Sequence, residues 1–184
     1  MEFAAIVVAG GDGSRAGGNL PKQFRLLAGE PVLRRSLRLF TDHQAVGAVQ
    51  PVIRHADVAR YEAVSKGLPK CMPAVPGGKT RQASVLAGLE SLLSTAPRFV
   101  LVHDAARPFA SGTLIDRAVA TVRSSGSAIP SIPVSDTIKR VGSTRNIVAN
   151  VDRGELRAVQ TPQAFAFAPL LQAHQRAAND GRTD

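Results

Sequence analysis

Ile6-Val7-Val8-Ala9-Gly10-Gly11-Asp12-Gly13-Ser14-Arg15 is followed shortly by Pro21-Lys22-Gln23, and these two runs carry most of the structural signal in the chain. An apolar run ends in a cluster of glycines, and an arginine and a lysine follow. The run predicts a buried strand over residues 3–9, and the cluster predicts a ligand loop over residues 10–23. Glycines let the backbone turn sharply and bring its N–H groups close to a ligand. Arg15 and Lys22 add two positive charges beside those N–H groups, which makes a site for several phosphates at once, as in a nucleoside triphosphate. Competing readings are weaker. Gly11-Asp12-Gly13-Ser14-Arg15-Ala16 fits a dinucleotide fingerprint, but Gly17, Gly18 and Pro21 prolong the loop where that motif runs into a helix. Gly78-Lys79-Thr80 resembles the end of a P-loop, but Pro73 stands where its first glycine belongs. An ordinary strand-to-loop turn with solvated charges is the bland alternative.

Outward from this loop, apolar spacing alternates between two periods. Helices are expected over 31–40, 58–66, 81–93, 113–122 and 169–178, and strands over 46–53, 72–75, 99–103 and 128–133. Pro51 suggests that its strand is an end or an edge. Such alternation indicates an α/β, Rossmann-like doubly wound fold with a mainly parallel sheet, as one domain over 1–184. After Pro133 the alternation breaks. Strand-like runs 134–141 and 147–151 flank the turn Gly142-Ser143-Thr144-Arg145-Asn146, which reads as an inserted β-hairpin arm at about 134–157. A lone hairpin is marginal in water, so the arm lies either on a partner subunit or back on its own domain. Thr161-Pro162-Gln163-Ala164-Phe165 reads as a turn before the last helix.

With 184 residues and 44% hydrophobic residues, the chain can bury a real core. The single cysteine, Cys71, excludes an internal disulfide and suits a reducing compartment. No apolar stretch is long enough to span a bilayer, and no basic leader precedes the first strand, so the expected location is cytoplasmic. A net charge of +9 raises the question of nucleic acid. The basic residues are scattered and aromatics are only 4%, so stacking platforms are scarce and small anionic substrates are the better match.

Ligands of open α/β sheets sit at the carboxyl ends of the strands. Three clusters fall at such ends: the 10–23 loop, Gly77-Gly78-Lys79-Thr80-Arg81, and Asp104-Ala105-Ala106-Arg107. Asp104 suits a Mg²⁺ ion or a substrate hydroxyl, or simply caps the next helix. Gly77 and Gly78 offer backbone groups to a base, and Ser84 a hydroxyl. No Ser/His/Asp triad and no zinc cluster suggest themselves, and His103 is expected to be a structural hydrogen-bonder. Phosphoryl-type transfer needs alignment, a metal and positive charge rather than a covalent nucleophile.

These runs, with Arg81-Gln82-Ala83-Ser84-Val85, Val102-His103-Asp104-Ala105-Ala106-Arg107-Pro108, Asp136-Thr137-Ile138-Lys139 and Thr161-Pro162-Gln163-Ala164-Phe165, resemble the 2-C-methyl-D-erythritol 4-phosphate cytidylyltransferase family of the non-mevalonate isoprenoid pathway. Ribitol-5-phosphate cytidylyltransferases are similar in the same runs and are the alternative. A nucleotide-binding or dimerisation module is the non-enzymatic one. The resemblance implies a nucleotidyltransferase that uses CTP and methylerythritol phosphate with Mg²⁺. Arg15 and Lys22 would be catalytic, and Ala9, Gly10, Gly11, Gly13, Gly78, Arg81, Ser84 and Ala105 would bind the nucleotide. Asp104, Arg107 and Thr161 would contact the acceptor, joined by Thr137 and Arg153 from a partner's arm in a homodimer. The metal would rest on Asp104 or be held by the triphosphate. Three positions depart from the family pattern: Val8 where proline is usual, Gly10 where alanine is usual, and Lys79 where an acidic residue is often found. The family continues beyond this length, and some relatives carry a fused cyclodiphosphate synthase domain, so the chain is expected to be C-terminally incomplete.

Overall fold

The computed structural model describes residues 1–10 and 20–182. Gly11, Gly13 and Arg15 therefore lie outside the described residues. The first strand, β1 (Phe3–Ala9), has two apolar faces. Its odd residues Phe3, Ala5 and Val7 belong to one core cluster, and its even residues Ala4 and Ile6 to another. A strand buried on both faces reads as a continuous apolar run, which explains why 3–9 shows no alternation with polar residues.

After a short 3-10 turn (Lys22–Phe24), β2 (Leu26–Leu27) and β3 (Glu30–Pro31) form a small hairpin before helix α1 (Val32–Thr41). Strand β4 (Val46–Ile53), helix α2 (Val58–Ser65), strand β5 (Val75–Pro76) and helix α3 (Arg81–Ser91) follow. Strand β6 (Phe99–Asp104) leads to helix α4 (Gly112–Ser125) and strand β7 (Ser127–Ala128). The arm comprises β8 (Ser131–Pro133), β9 (Ile138–Val141), β10 (Ile147–Val151) and β11 (Arg157–Val159); β12 (Gln163–Ala166) and helix α5 (Phe167–Asn179) close the chain.

The main sheet runs β5-β4-β1-β6-β12-β7. Strands β5, β4, β1 and β6 are mutually parallel, and β12 is antiparallel to both its neighbours. Helices α1 and α4 pack on one face, through Leu33, Leu37, Phe40, Ile115 and Val122. Helices α3 and α5 pack on the other, through Val85, Leu89, Phe167 and Leu171. Gly88 lets α3 approach the sheet: a Cβ there would meet Ile6 Cγ2 at 2.7 Å and Val52 Cγ2 at 3.0 Å. The α/β reading thus holds, with four parallel strands running in from the β5 edge and the antiparallel β12 beyond them.

Four expectations are corrected. Pro51 is neither at an end nor on an edge; it pairs with Val7 inside the sheet. Its missing N–H falls where β5 is interrupted, and Gln50 Nε2 bridges the gap by donating to Pro51 O and Pro73 O, each at 3.0 Å. The strand expected at 72–75 narrows to Val75–Pro76, with one isolated bridge from Val49 to Cys71. The strand expected at 128–133 divides, because Ser127–Ala128 joins the main sheet whereas Ser131–Pro133 starts the arm. The turn expected at 161–165 contains most of a strand: Gln163–Ala166 lies beside β6 with Ala164 fully buried. Its four residues are too short for a period to be read, and β6 supplies the partner that stabilises them.

The arm itself is a hairpin, longer than expected. β9 pairs with β10, and β8 pairs with β11, both antiparallel, giving two successive two-stranded ladders.

Candidate active site

The chain winds from β1 through α1 to β4 on one side, then returns through α3 to β6 on the other. The strand order therefore reverses between β1 and β6, where open α/β sheets bind their ligands. A cleft of about 540 Å³ opens there. It is lined by Val8, Ala9, Gly10, Lys22 and Gln23 from the first loop, by Gly78 to Arg81 and Ser84 from the second, and by Asp104 to Arg107 from the third. The three clusters picked from sequence do converge.

Each loop is pinned from below. Gln23 is 2% exposed and its Nε2 donates to Ala9 O at 2.9 Å, tying the end of the first loop to its start. Lys22, next to it, is exposed on the cleft. Thr80 caps α3 through its side chain, which accepts from Ala83 N at 3.0 Å. Ser84 is buried. Its hydroxyl donates to Thr80 O at 2.9 Å and accepts from Gly78 N at 3.1 Å. Ser84 therefore shapes the Gly78 loop, with its proton committed to the helix carbonyl. A Cβ on Gly10 would stand 3.3 Å from Ser84 Oγ, so the glycine leaves this wall slightly wider. Ala105 is the floor: its N–H donates to Val8 O at 3.0 Å, and its carbonyl accepts from the buried Ser36 Oγ at 2.7 Å.

At the other end, Asp104 is half-buried and bracketed by guanidinium groups. Arg81 Nε reaches its Oδ1 at 3.1 Å and Arg107 Nε its Oδ2 at 3.2 Å. Arg107 also reaches Gln160 Oε1. The cap of α4 falls to Ser111, whose side chain accepts from Leu114 N, so Asp104 is not a helix cap. Thr161 is 5% exposed and its Oγ1 accepts from Asp104 N at 3.3 Å. Both carboxylate oxygens of Asp104 are engaged, and among the described residues no group of three or more His, Cys, Asp or Glu could hold a metal. This donor set suits a Mg²⁺ ion carried on phosphates better than one seated on Asp104.

Thr137 and Arg153 do not reach this cleft. Both are exposed on the arm, Arg153 in a 3-10 turn (Arg153–Glu155) with its guanidinium donating to Ser135 O. Sequence reading missed Gln23, Ser36 and Gln160. Gln23 stood within the quoted Pro21-Lys22-Gln23 run, but only its buried contact with Ala9 reveals what it does.

A mainly parallel sheet with a glycine- and lysine-lined cleft at its switch point defines a nucleotidyltransferase-like α/β protein. The sequence profile of the family described as IspD, 2-C-methyl-D-erythritol 4-phosphate cytidylyltransferase, matches residues 3–184, and the chain belongs to that family. It is 52% identical over 181 residues to the bifunctional enzyme IspD/IspF of Rhodopseudomonas palustris (strain BisA53), covering 98% of this chain and 45% of that protein. The chain thus spans under half the length of the curated relatives it matches. The crystal structure of 2-C-methyl-D-erythritol 4-phosphate cytidylyltransferase from Thermus thermophilus superposes with a TM-score of 0.73 at 34% identity, over 98% of this chain and 78% of that one. The 4-diphosphocytidyl-2C-methyl-D-erythritol synthase of Anaerococcus prevotii DSM 20548 shares the fold, with a TM-score of 0.83 at 24% identity over 97% and 75% of the two chains. Among the described residues, no helix is long and apolar enough to cross a membrane.

Proposed function

We propose that this chain transfers the cytidylyl group of CTP to 2-C-methyl-D-erythritol 4-phosphate and releases pyrophosphate. The observation that carries this reading is the meeting of Lys22, the Gly10–Gly78–Ser84 wall and the Asp104–Arg107 pair in one cleft. The base lies against the wall, where backbone groups read it. Lys22 faces the triphosphate, and the family resemblance gives Arg15 the same task. The acceptor enters at Asp104, Arg107 and Thr161. A phosphate oxygen of the acceptor attacks the α-phosphorus, a new P–O bond forms, and the bond to pyrophosphate breaks with its electron pair leaving on pyrophosphate. Positive charge around the five-coordinate phosphorus stabilises that arrangement more than the ground state. Mg²⁺ bound to the triphosphate supplies further neutralisation of the phosphate charge.

The arm supports a shared site. It exposes Ile132, Val141, Ile147, Val148 and Val159, apolar side chains of the kind that mark an interaction surface. In this reading a second copy covers it, the protein is a homodimer, and Thr137 and Arg153 complete the partner's cleft. A supply of CTP and a lone cysteine suit a cytoplasmic enzyme. The test is pyrophosphate release from CTP and Mg²⁺ with methylerythritol phosphate or ribitol 5-phosphate. Turnover with the first supports the proposal, turnover with the second alone moves it to the ribitol reaction, and CTP binding without turnover leaves a nucleotide-binding module.

A further inference from the structure

His103 lies on β6, fully buried, with its ring edge-on to Phe40 at a centroid distance of 5.1 Å. Its Nε2 is 3.1 Å from Arg107 O. A carbonyl only accepts, so Nε2 carries the proton. Nδ1 must then accept in the neutral ring, and its partner is Thr161 Oγ1 at 3.0 Å. The Thr161 proton therefore points at His103, while the same oxygen accepts Asp104 N–H at 3.3 Å. Every proton in this chain has one direction, from Asp104 N–H to Thr161, from Thr161 to His103, and from His103 to Arg107 O. Burial pushes the imidazole down to about 4, which keeps it neutral near pH 7.

We propose that His103 is a positioning residue that fixes the polarity of Thr161, so that Thr161 meets the substrate only as a hydrogen-bond acceptor. The inference rests on the reading above that the acceptor enters here. Thr161 shares a hollow of about 410 Å³ with Ala106, Arg107 and Gln160, adjoining the nucleotide cleft. A hydroxyl whose proton is committed offers only a lone pair to that hollow. It takes an alcohol O–H and repels a phosphate, whose oxygens at neutral pH are also lone-pair donors. The acceptor is thereby oriented with a hydroxyl at Thr161 and its phosphate directed elsewhere. His103 does this without touching substrate, and by holding Arg107 O it also sets the course of the loop that returns the guanidinium to Asp104.

Two measurements test this on the full chain. In ¹⁵N-histidine NMR of the unmodified protein, with His103→Gln as the assignment control, His103 is expected to be neutral with its proton on Nε2. An Nδ1–H tautomer or a charged ring near pH 7 overturns the proposal, whether or not the protein turns over methylerythritol phosphate. Failure of the reaction with a correct tautomer would instead count against the proposed function and the acceptor role that depends on it. In kinetics, His103→Gln keeps a donor near Nε2 and loses the Nδ1 acceptor, so KM for the acceptor should rise roughly tenfold with KM for CTP within about twofold. Thr161→Val should give a similar rise, and the double variant no further rise, because both act through one hydroxyl. Additive effects, or equal changes in both KM values, overturn it.

Discussion

The cleft and the arm leave the same sheet in opposite ways. Two of the cleft loops spring from β1 and β6, strands whose side chains are buried on both faces, the third follows the edge strand β5, and each loop is held by a buried polar side chain: Gln23, Ser36, Ser84 or His103. The arm springs from β8 and β11, short strands whose side chains are largely exposed, and at its tip Ile147 is 65% and Val148 60% exposed. One region is fixed by contacts inside a single chain. The other has backbone pairing of its own but no apolar cover among the described residues. The geometry of the cleft is therefore an intrachain property, and the arm's surroundings are not.

The largest effect expected on the cleft side is from Lys22→Ala, a loss in kcat of roughly two to three orders of magnitude, typical of one transition-state donor. Steady-state pyrophosphate release measures it, and near-normal turnover would remove the assigned role. The arm's counterpart is Arg153→Ala. On the proposed shared site it should lower kcat/KM by about 10- to 100-fold, although Arg153 lies outside its own cleft. Mixing Arg153→Ala with Lys22→Ala subunits should restore part of the activity, since one of the two sites is then whole; confirmed heterodimers without restoration would make the arm an intrachain device like the loops.

Next in size is the support beneath the cleft. Ser36→Ala strands the Ala105 carbonyl and should cost about 1–3 kcal/mol of stability, read by urea denaturation. Acidification probes the same layer. The folded protein holds His103 neutral down to about 4, whereas an unfolded histidine takes its proton near 6.5. The unfolded state thus binds more protons in that window, so stability falls as pH drops from about 6.5 towards 4 and is insensitive to this group above it. His103→Gln should flatten part of that fall; an unchanged slope would break the link. The smallest effect on the isolated chain is expected from Val148→Lys at the arm tip, within about 0.5 kcal/mol. Sedimentation should nevertheless show weakened self-association, and unchanged association would leave the exposed arm without the proposed partner.

Much of the cleft was legible because its signals are local. Gly10, Gly78, Arg81 and Asp104 sit just beyond apolar runs, Lys22 closes the glycine-rich loop, and a parallel sheet brings strand ends together without further instruction. The hairpin was legible for a similar reason: two β-prone runs flank a glycine-containing turn, although its base at Ser131–Pro133 was absorbed into a neighbouring strand. Strand β12 was not legible, because four residues carry no readable period and Thr161-Pro162 looks like a turn on its own. Asp104 looked open to a metal, and only the approach of Arg81 from α3 shows that its carboxylate is already engaged.

The alternation of strands and helices, the glycine loop with its positive charge, and the family to which those runs belong can all be read along the chain. Local periodicity and residue chemistry suffice for that. Which protons point where depends on the folded arrangement. His103 and Asp104 end one strand and Thr161 leads into another far along the chain, and the direction of each hydrogen bond follows from partners that meet only when β12 lies beside β6.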